Sequence, residues 1–218
     1  MAVFTYLKAG MIKAFFLIFE PAVAWERLAL ARRSFGVVFG MHLLPTILLA
    51  AAVEGIGLAQ WGKWQPNFQN ITEFSTRAVI TLEVIQVLLF LAMVLVTALV
   101  LLQISQTFQG RRTYRQAFTT VAYGFSPLFV THLLNAAPMM NPLVPWGVGV
   151  VLVIWIMYQG IPRVMQPDPA HAFGLYLSTV LVMIMTSLIA SGLPALYLLG
   201  RLDFHNSWLT RQFSGLFQ

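Results

Sequence analysis

The sequence lacks cysteine altogether, and charged residues make up only 9% of its 218 positions. Without cysteine the chain can have no disulfide, no thiolate metal ligand and no cysteine nucleophile. A typical soluble domain is about 25% charged, so the composition argues against an ordinary soluble protein. The sequence also lacks a glycine-rich nucleotide loop, a G-x-S-x-G elbow and a paired-carboxylate motif. We therefore expect neither enzymatic activity nor a bound cofactor.

Apolar residues make up 59% of the chain, and its mean hydropathy is +0.78. A chain with so much apolar surface needs lipid as its solvent. The formal net charge is +6. Excess Lys and Arg in a membrane protein collects in cytoplasmic loops and faces anionic lipid. No basic segment accompanies a nucleic-acid-binding motif, so nucleic acid is not an expected partner.

Five apolar stretches are long enough to cross a membrane. The second contains VLLFLAMVLVTALVLL, which has no charge and no helix breaker. Gly160 and Pro162 are expected to end the fourth, while Pro127 is expected to kink the third. The fold class is therefore all-α, a polytopic integral membrane bundle with five transmembrane helices, predicted at about 35–60, 79–108, 114–136, 145–161 and 173–199.

Apolar residues recur at helical spacing before the first span, at Phe4, Leu7, Met11, Phe15, Ile18 and Phe19. Lys8 and Lys13 lie off this stripe, which is typical of an interfacial amphipathic helix. The domain organisation follows from this pattern. It comprises a cytoplasmic N-terminal segment (1–34), a five-helix transmembrane domain (35–200) and an extracytoplasmic tail (201–218).

The basic residues predict the orientation of the chain. With five spans, nine of the 13 Lys and Arg share the side of the N-terminus, and the other four are Lys63, Arg77, Arg201 and Arg211. The positive side is cytoplasmic as a rule. We therefore expect the N-terminus in the cytoplasm and the C-terminus outside.

Four features of the chain occur together in one order. Pro21 and Trp25 form a PxxxW pattern before the first span. The stretch GRRTYRQAFTTVAYGFSP contains Ala122-Tyr123 followed by Pro127, and Trp155, Tyr158 and Gly160 close the fourth span. The fourth feature is the five-span layout itself. Together they resemble the Yip domain family, the Ypt/Rab-interacting membrane proteins and their bacterial relatives.

The resemblance implies a non-enzymatic, multi-pass membrane protein. Eukaryotic members of the family are implicated in vesicle trafficking and bind prenylated small GTPases, with a contribution from a long cytosolic N-terminal region. Here about 34 residues precede the first span. This short segment is similar to that of the bacterial members, which implies a bacterial inner (plasma) membrane location.

Glu54 and Glu83 are the main candidates for an intramembrane polar site, together with Gln86 and His132. Acids inside a membrane often mark ion or proton paths. The two acids are expected at similar depth, where they could share a proton or coordinate a cation, or could simply reach the solvated interface. A metal would need at least three converging ligands. No suitable spacing is present, so no metal site is predicted.

Two further groups of residues have alternative interpretations. Arg111, Arg112 and Arg115 could bind an anionic lipid headgroup or a protein partner, or could serve topology alone. Tyr123, Gly124 and Pro127 could form a hinge, or a fixed kink that shapes helix packing. His42 is expected nearer the inner face than His132, so the two histidines are not expected to meet.

Two functions are compatible with these patterns. The first is a membrane-organising or scaffold protein that contacts membrane lipids and a protein partner or a second copy of itself. The alternative is a small transporter or channel that uses Glu54 and Glu83. Five spans without an evident inverted repeat are not typical of a secondary transporter.

Overall fold

The computed structural model describes residues 17–31, 33–66, 69–108 and 113–201. Among them are five helices long and apolar enough to cross a membrane, which we call helices 1 to 5, with bounds Phe35–Trp61, Thr76–Thr107, Tyr114–Ala136, Leu143–Met165 and Ala172–Leu198. The predicted all-α, five-span bundle is thereby confirmed. The predicted amphipathic helix falls largely on residues 1–16, outside the described residues. The same holds for 202–218 of the tail and for Arg111 and Arg112.

Successive helices run in opposite directions, which gives the bundle two distinct ends. A short antiparallel hairpin, with Lys63–Gln65 paired to Asn70–Thr72, joins helices 1 and 2. We call its side the hairpin end and the opposite side the N-terminal end. Gly62 makes the turn possible, because its φ of 64° lies in the left-handed region and ends helix 1.

Helix 3 forms the centre of the bundle. In its most apolar window 83% of the residues are buried, compared with 28–39% in the other four helices. Its mean hydropathy of 1.2 is also the lowest of the five. The two observations agree, because a helix surrounded by protein need not be as apolar as one that faces lipid. Polar residues of helix 3 can therefore find partners inside the bundle.

Two of the helices are interrupted next to a proline. Helix 1 contains a π-helical turn, Phe39–Leu43, two residues before Pro45. Helix 3 consists of Tyr114–Gly124 and Ser126–His132, separated at Phe125, followed by a 3-10 turn. Proline cannot donate a backbone hydrogen bond and its ring crowds the preceding turn. The structure thus places a break in helix 3 two residues before Pro127.

Trp25 fastens the N-terminal helix (Pro21–Ala31) to helix 4. Its side chain is fully buried, and its indole Nε1 donates a hydrogen bond of 2.9 Å to the carbonyl of Ile156. The ring lies on Gly160, where an added Cβ would come within 2.5 Å of it. Trp25 of the PxxxW pattern thereby contacts Gly160, one of the residues that close the fourth predicted span.

Helix 4 does not end at Gly160 and Pro162, so that expectation was wrong. It continues to Met165 with Pro162 inside it. Proline removes a single intrahelical hydrogen bond, the one to the carbonyl of Tyr158. Packing of this last turn offsets that loss, since Ile161 and Met165 are fully buried. Tertiary contact outweighs the local helix-breaking tendency.

Gly160→Ala is expected to destabilise the protein by about 1–3 kcal/mol, the usual cost of overpacking a filled core. The new methyl group would meet the Trp25 ring, which has no free space to move into. Gly147→Ala in the same helix is the matched control, because nothing lies within 4 Å of its Cβ position. Thermal unfolding in detergent measures both variants, and equal melting temperatures would contradict the packing argument.

Candidate functional site

Glu54 and His132 form a buried pair between helices 1 and 3. The distance from His132 Nε2 to Glu54 Oε2 is 2.6 Å. Only 3% of Glu54 and 6% of His132 is exposed. A carboxylate at this depth needs a hydrogen-bond donor, because burying a lone charge is costly. The imidazole of His132 lies within hydrogen-bonding distance of it.

Asn135 orients the His132 ring. Its side-chain Nδ2 lies 3.1 Å from His132 Nδ1. An amide nitrogen can only donate, so Nδ1 accepts and the imidazole proton lies on Nε2, facing Glu54. This tautomer follows from the orientation of the Asn135 amide in the structure. The ring also packs edge-on against Phe90, with centroids 5.0 Å apart.

Glu83 approaches the same pair from helix 2. Its side chain lies on Gly55, where a Cβ would be 3.0 Å from Glu83 Cγ. Both carboxyl oxygens are buried and neither has a hydrogen-bond partner among the described residues. Glu83 is close enough to Glu54 for their charges to interact. The structure therefore brings Glu54, Glu83 and His132 together, and we call them the acid cluster.

The two acids lie at equal depth. Glu54 is seven residues before Trp61, the last residue of helix 1, and Glu83 is seven after Thr76, the first residue of helix 2. Seven residues at a rise of 1.5 Å each correspond to about 10 Å. The acid cluster therefore lies well inside the helical bundle near its hairpin end, rather than at the ends of the helices.

Lys63 closes the acid cluster at the hairpin end. Its Nζ donates to the carbonyls of Asn135 at 2.5 Å and Ala137 at 3.0 Å. A positive charge at these carbonyls stabilises the C-terminal end of helix 3. Burial lowers the pKa of Lys63 to about 8, and the nearby charge of Glu54 opposes this shift.

Lys63 was counted from the sequence only among the basic residues on the side opposite the N-terminus, and Asn135 was not considered. A usable signal was present, because Gly62 follows an apolar helix directly. A glycine in this position often reverses the chain at a helix C-terminus. Lys63, the residue after this glycine, then lies close to the helices again. No local signal in the sequence indicates that Asn135 contacts His132.

Gln86 does not join the acid cluster. Its Nε2 donates to the carbonyl of Ala190 at 3.5 Å, so this buried amide connects helix 2 to helix 5. It lies one turn from Glu83 along the helix, yet its contact is with another neighbour. The spacing of Gln86 from Glu83 in the sequence therefore did not indicate which residue Gln86 contacts.

A second polar cluster lies toward the N-terminal end, around Tyr123. Arg33 donates to the Tyr123 hydroxyl at 3.1 Å, and the Tyr123 ring stacks on His42 with centroids 3.9 Å apart. His42 Nε2 is 2.8 Å from Ser126 Oγ. His42 lies in the π-helical turn of helix 1, a type of turn that is frequent at functional sites. We call these four residues the tyrosine cluster.

The three candidate hinge residues are all buried and tightly packed. A Cβ on Gly124 would be 2.5 Å from the sulfur of Met157 and 3.1 Å from Met183. Helices 4 and 5 therefore both approach the break in helix 3. Tyr123 is fully buried and Pro127 lies in the first turn of the second segment. This packing is what a fixed kink requires.

Arg115 lies at the N-terminal end and is exposed. Together with Arg33 it lines a recess between the N-terminal helix, helix 3 and helix 4, whose other lining residues are Leu28, Ala29, Gln116, Thr119 and Val164. Arg33 is held there by its bond to Tyr123. Two arginines thus line the recess, and their positive charge suits an anion.

Apolar residues lie between the two clusters. Along helix 1, Ile47 and Ala50 come between His42 and Glu54, and both are fully buried. Along helix 3, Phe129 comes between Ser126 and His132 and is 1% exposed. The histidines occupy separate clusters, as their positions in the spans predicted.

Fold and site together define a polytopic integral membrane protein with internal polar clusters. Trp25 of the PxxxW pattern contacts Gly160. Helix 3, which contains Tyr123 and Pro127, is the buried centre of the bundle. The sequence pattern of the Yip1 domain family matches residues 15–191, most of the chain. The chain belongs to this family. No curated protein and no solved structure matches it.

Lys63→Met is expected to change how stability depends on pH. The pKa of Lys63 is about 8 in the folded protein and 10.5 ordinarily, so between these values the unfolded chain holds more protons. Raising the pH through this interval therefore stabilises the folded protein. The variant should lack this component of the rise.

Unfolding of both proteins, followed from pH 8 to 10.5, measures the difference. Arg201→Met is the control, because Arg201 is exposed at the same end of the bundle. If Lys63→Met and wild type have parallel pH profiles, Lys63 is not the titrating group.

Proposed function

We propose that this protein is a non-enzymatic, membrane-organising scaffold of the Yip type, placed in a bacterial inner membrane. It acts through a rigid surface at its N-terminal end, formed by the N-terminal helix with Arg33 and Arg115, which we call the platform. The platform binds anionic lipid headgroups, and the helices contact a protein partner or a second copy. The recess lined by Arg33 and Arg115 carries this proposal. Two guanidinium groups held at a membrane surface favour anionic headgroups by charge and by hydrogen bonding.

The platform is rigid because its parts are fastened to the buried core. Trp25 attaches the N-terminal helix to helix 4, and Tyr123 holds Arg33 from helix 3. A preformed site avoids the entropic cost of ordering its side chains when a ligand binds. Arg111 and Arg112 precede Arg115 in sequence and would add charge on the same side of the membrane.

The double variant Arg33→Gln/Arg115→Gln is expected to weaken binding of anionic lipid. Each basic residue near an anionic surface contributes ~1 kcal/mol, so the loss should be on the order of tenfold or more. Native mass spectrometry of the protein with phosphatidylglycerol, compared with phosphatidylcholine, measures this selectivity. Gln keeps hydrogen-bonding capacity and removes the charge.

Arg77→Gln/Arg201→Gln provides the matched control, since both arginines are exposed and lie at the hairpin end. This variant should keep the lipid preference of the N-terminal end. Equal loss in both double variants would show a general charge effect and contradict a defined site. An unchanged lipid preference with loss of a co-purifying protein would assign the recess to a protein partner.

The proposed orientation places the N-terminus and the recess in the cytoplasm and the C-terminus outside. It is supported by the excess of basic residues on the N-terminal side. A reporter that is active only in the cytosol, fused after Gln218, is expected to be inactive. A strong signal from that fusion would refute the orientation.

Transport through Glu54 and Glu83 is the alternative function, and the buried acid cluster favours it. The apolar layer of Ile47, Ala50 and Phe129 separates this cluster from the tyrosine cluster. For that reason we favour the scaffold. Proteoliposomes test the choice: cation or proton flux above that of empty vesicles, abolished by Glu83→Gln, would establish transport instead.

A further inference from the structure

We propose that Glu83, Glu54 and His132 form one proton-binding site, in which a single exchangeable proton rests on Glu83 and His132 is its alternative carrier. This inference is independent of the scaffold and concerns the hairpin end of the bundle. It rests on the burial of the three side chains and of Asn135, and on the polar contacts that they make or lack.

The resting position of the proton follows from the partners of each acid. Glu54 has a polar contact at 2.6 Å, with His132 Nε2, and a nearby positive charge on Lys63, which together favour its carboxylate form. Glu83 has neither, since both its oxygens are buried without a hydrogen-bond partner among the described residues. A buried carboxyl without a donor is stable only in its neutral form.

These assignments make the site electrically neutral as a whole. Glu54 carries one negative charge and Lys63 one positive charge, while His132 and Glu83 carry none. Neutrality matters here, because uncompensated charge inside a membrane costs several kcal/mol. The site therefore keeps one proton for each pair of acids as long as Lys63 remains charged.

Asn135 makes His132 a suitable second carrier. Its side-chain Oδ1 is buried and has no hydrogen-bond partner in the part of the chain that the structure describes, while Nδ2 donates to His132 Nδ1. Rotation of the amide by half a turn would present Oδ1 to Nδ1 instead, and Nδ1 would then be a donor. His132 could thus take the proton that Glu83 releases, becoming an imidazolium beside the Glu54 carboxylate. The total charge of the site stays the same.

The groups that face this site come from three elements. Helix 1 supplies Glu54, the 3-10 turn and the end of helix 3 supply His132 and Asn135, and the hairpin supplies Lys63. On the remaining side helix 5 contains no Asp, Glu, Lys or Arg, and helix 4 contains only Arg163, near the N-terminal end. Proton exchange within the site is therefore governed by these four side chains and Glu83.

Infrared spectroscopy of the full chain in lipid nanodiscs tests the resting state. Carboxyl groups in water ionise near pH 4, so at pH 7 a neutral carboxylic acid band reports a protected acid. We expect this band in wild type and its loss in Glu83→Gln. Glu73→Gln is the matched control, since Glu73 is exposed in the loop before helix 2, and it should keep the band. Glu83→Asp should retain an acid band at a shifted frequency, which covers a folding failure of the glutamine variant.

Nitrogen-15 NMR of labelled histidine tests the second carrier, with the signal of His132 assigned from its loss in His132→Gln. The expected form at pH 7 is the neutral imidazole protonated at Nε2. The transfer leaves the number of protons in the site unchanged, so temperature rather than pH shifts its equilibrium. Loss of the acid band on warming should therefore coincide with formation of the imidazolium. An absent acid band at pH 7, a band that persists in Glu83→Gln, or an imidazole that stays unchanged as the band disappears would each overturn the proposal.

Discussion

The structure depends on a constraint that lipid imposes: a polar group inside the bundle must find a partner in the protein. Helix 3 is the least apolar of the five helices and the most buried, and its polar side chains meet this requirement in two places. Tyr123 and Ser126 bind residues of helix 1 and its approach, and His132 binds Glu54. The other helices surround helix 3 and expose their own apolar faces to lipid. With the polar helix at the centre, its polar groups have partners in the protein, and the apolar faces of the other helices are left to the lipid.

Close approach of backbones and rings holds this arrangement together. Trp25 lies on Gly160, and Gly124 allows Met157 and Met183 to reach the break in helix 3. Association of helices in a membrane relies on such close packing, because lipid provides no hydrophobic force between them. The breaks at Phe125 and in the π-helical turn of helix 1 occur where prolines weaken the backbone pattern. Each break places a polar side chain where the opposite helix can bind it, so Ser126 meets His42.

The two ends of the molecule have different chemistry. At the N-terminal end, Arg33 and Arg115 line a recess. At the hairpin end, Glu54 and Lys63 are both buried and have opposite charges, and Glu83 forms no ion pair with any residue that the structure describes. The first arrangement suits recognition of a ligand, and the second suits storage of a proton. Buried apolar residues of helices 1 and 3 lie between the two.

Glu54, Glu83 and His132 were recognisable from the sequence, because acids and histidines are rare and costly inside apolar spans. Their convergence was predictable only as far as the equal depth of the two acids in adjacent helices. Lys63 and Asn135 were missed, since a lysine after a helix and an asparagine near a turn are ordinary in sequence. Gln86 was placed in the wrong group because one helical turn does not decide which neighbour a side chain meets.

Hydropathy and charge by themselves determined the membrane location, the number of spans and, through the resemblance, the family. These features depend on the sum of local transfer free energies, which a sequence contains directly. Only the tertiary structure decided that helix 3 is central, that helix 4 passes through Pro162, and that Asn135 orients His132. Those outcomes depend on contacts between residues distant in sequence, such as the pair Trp25 and Gly160, and no local pattern records them.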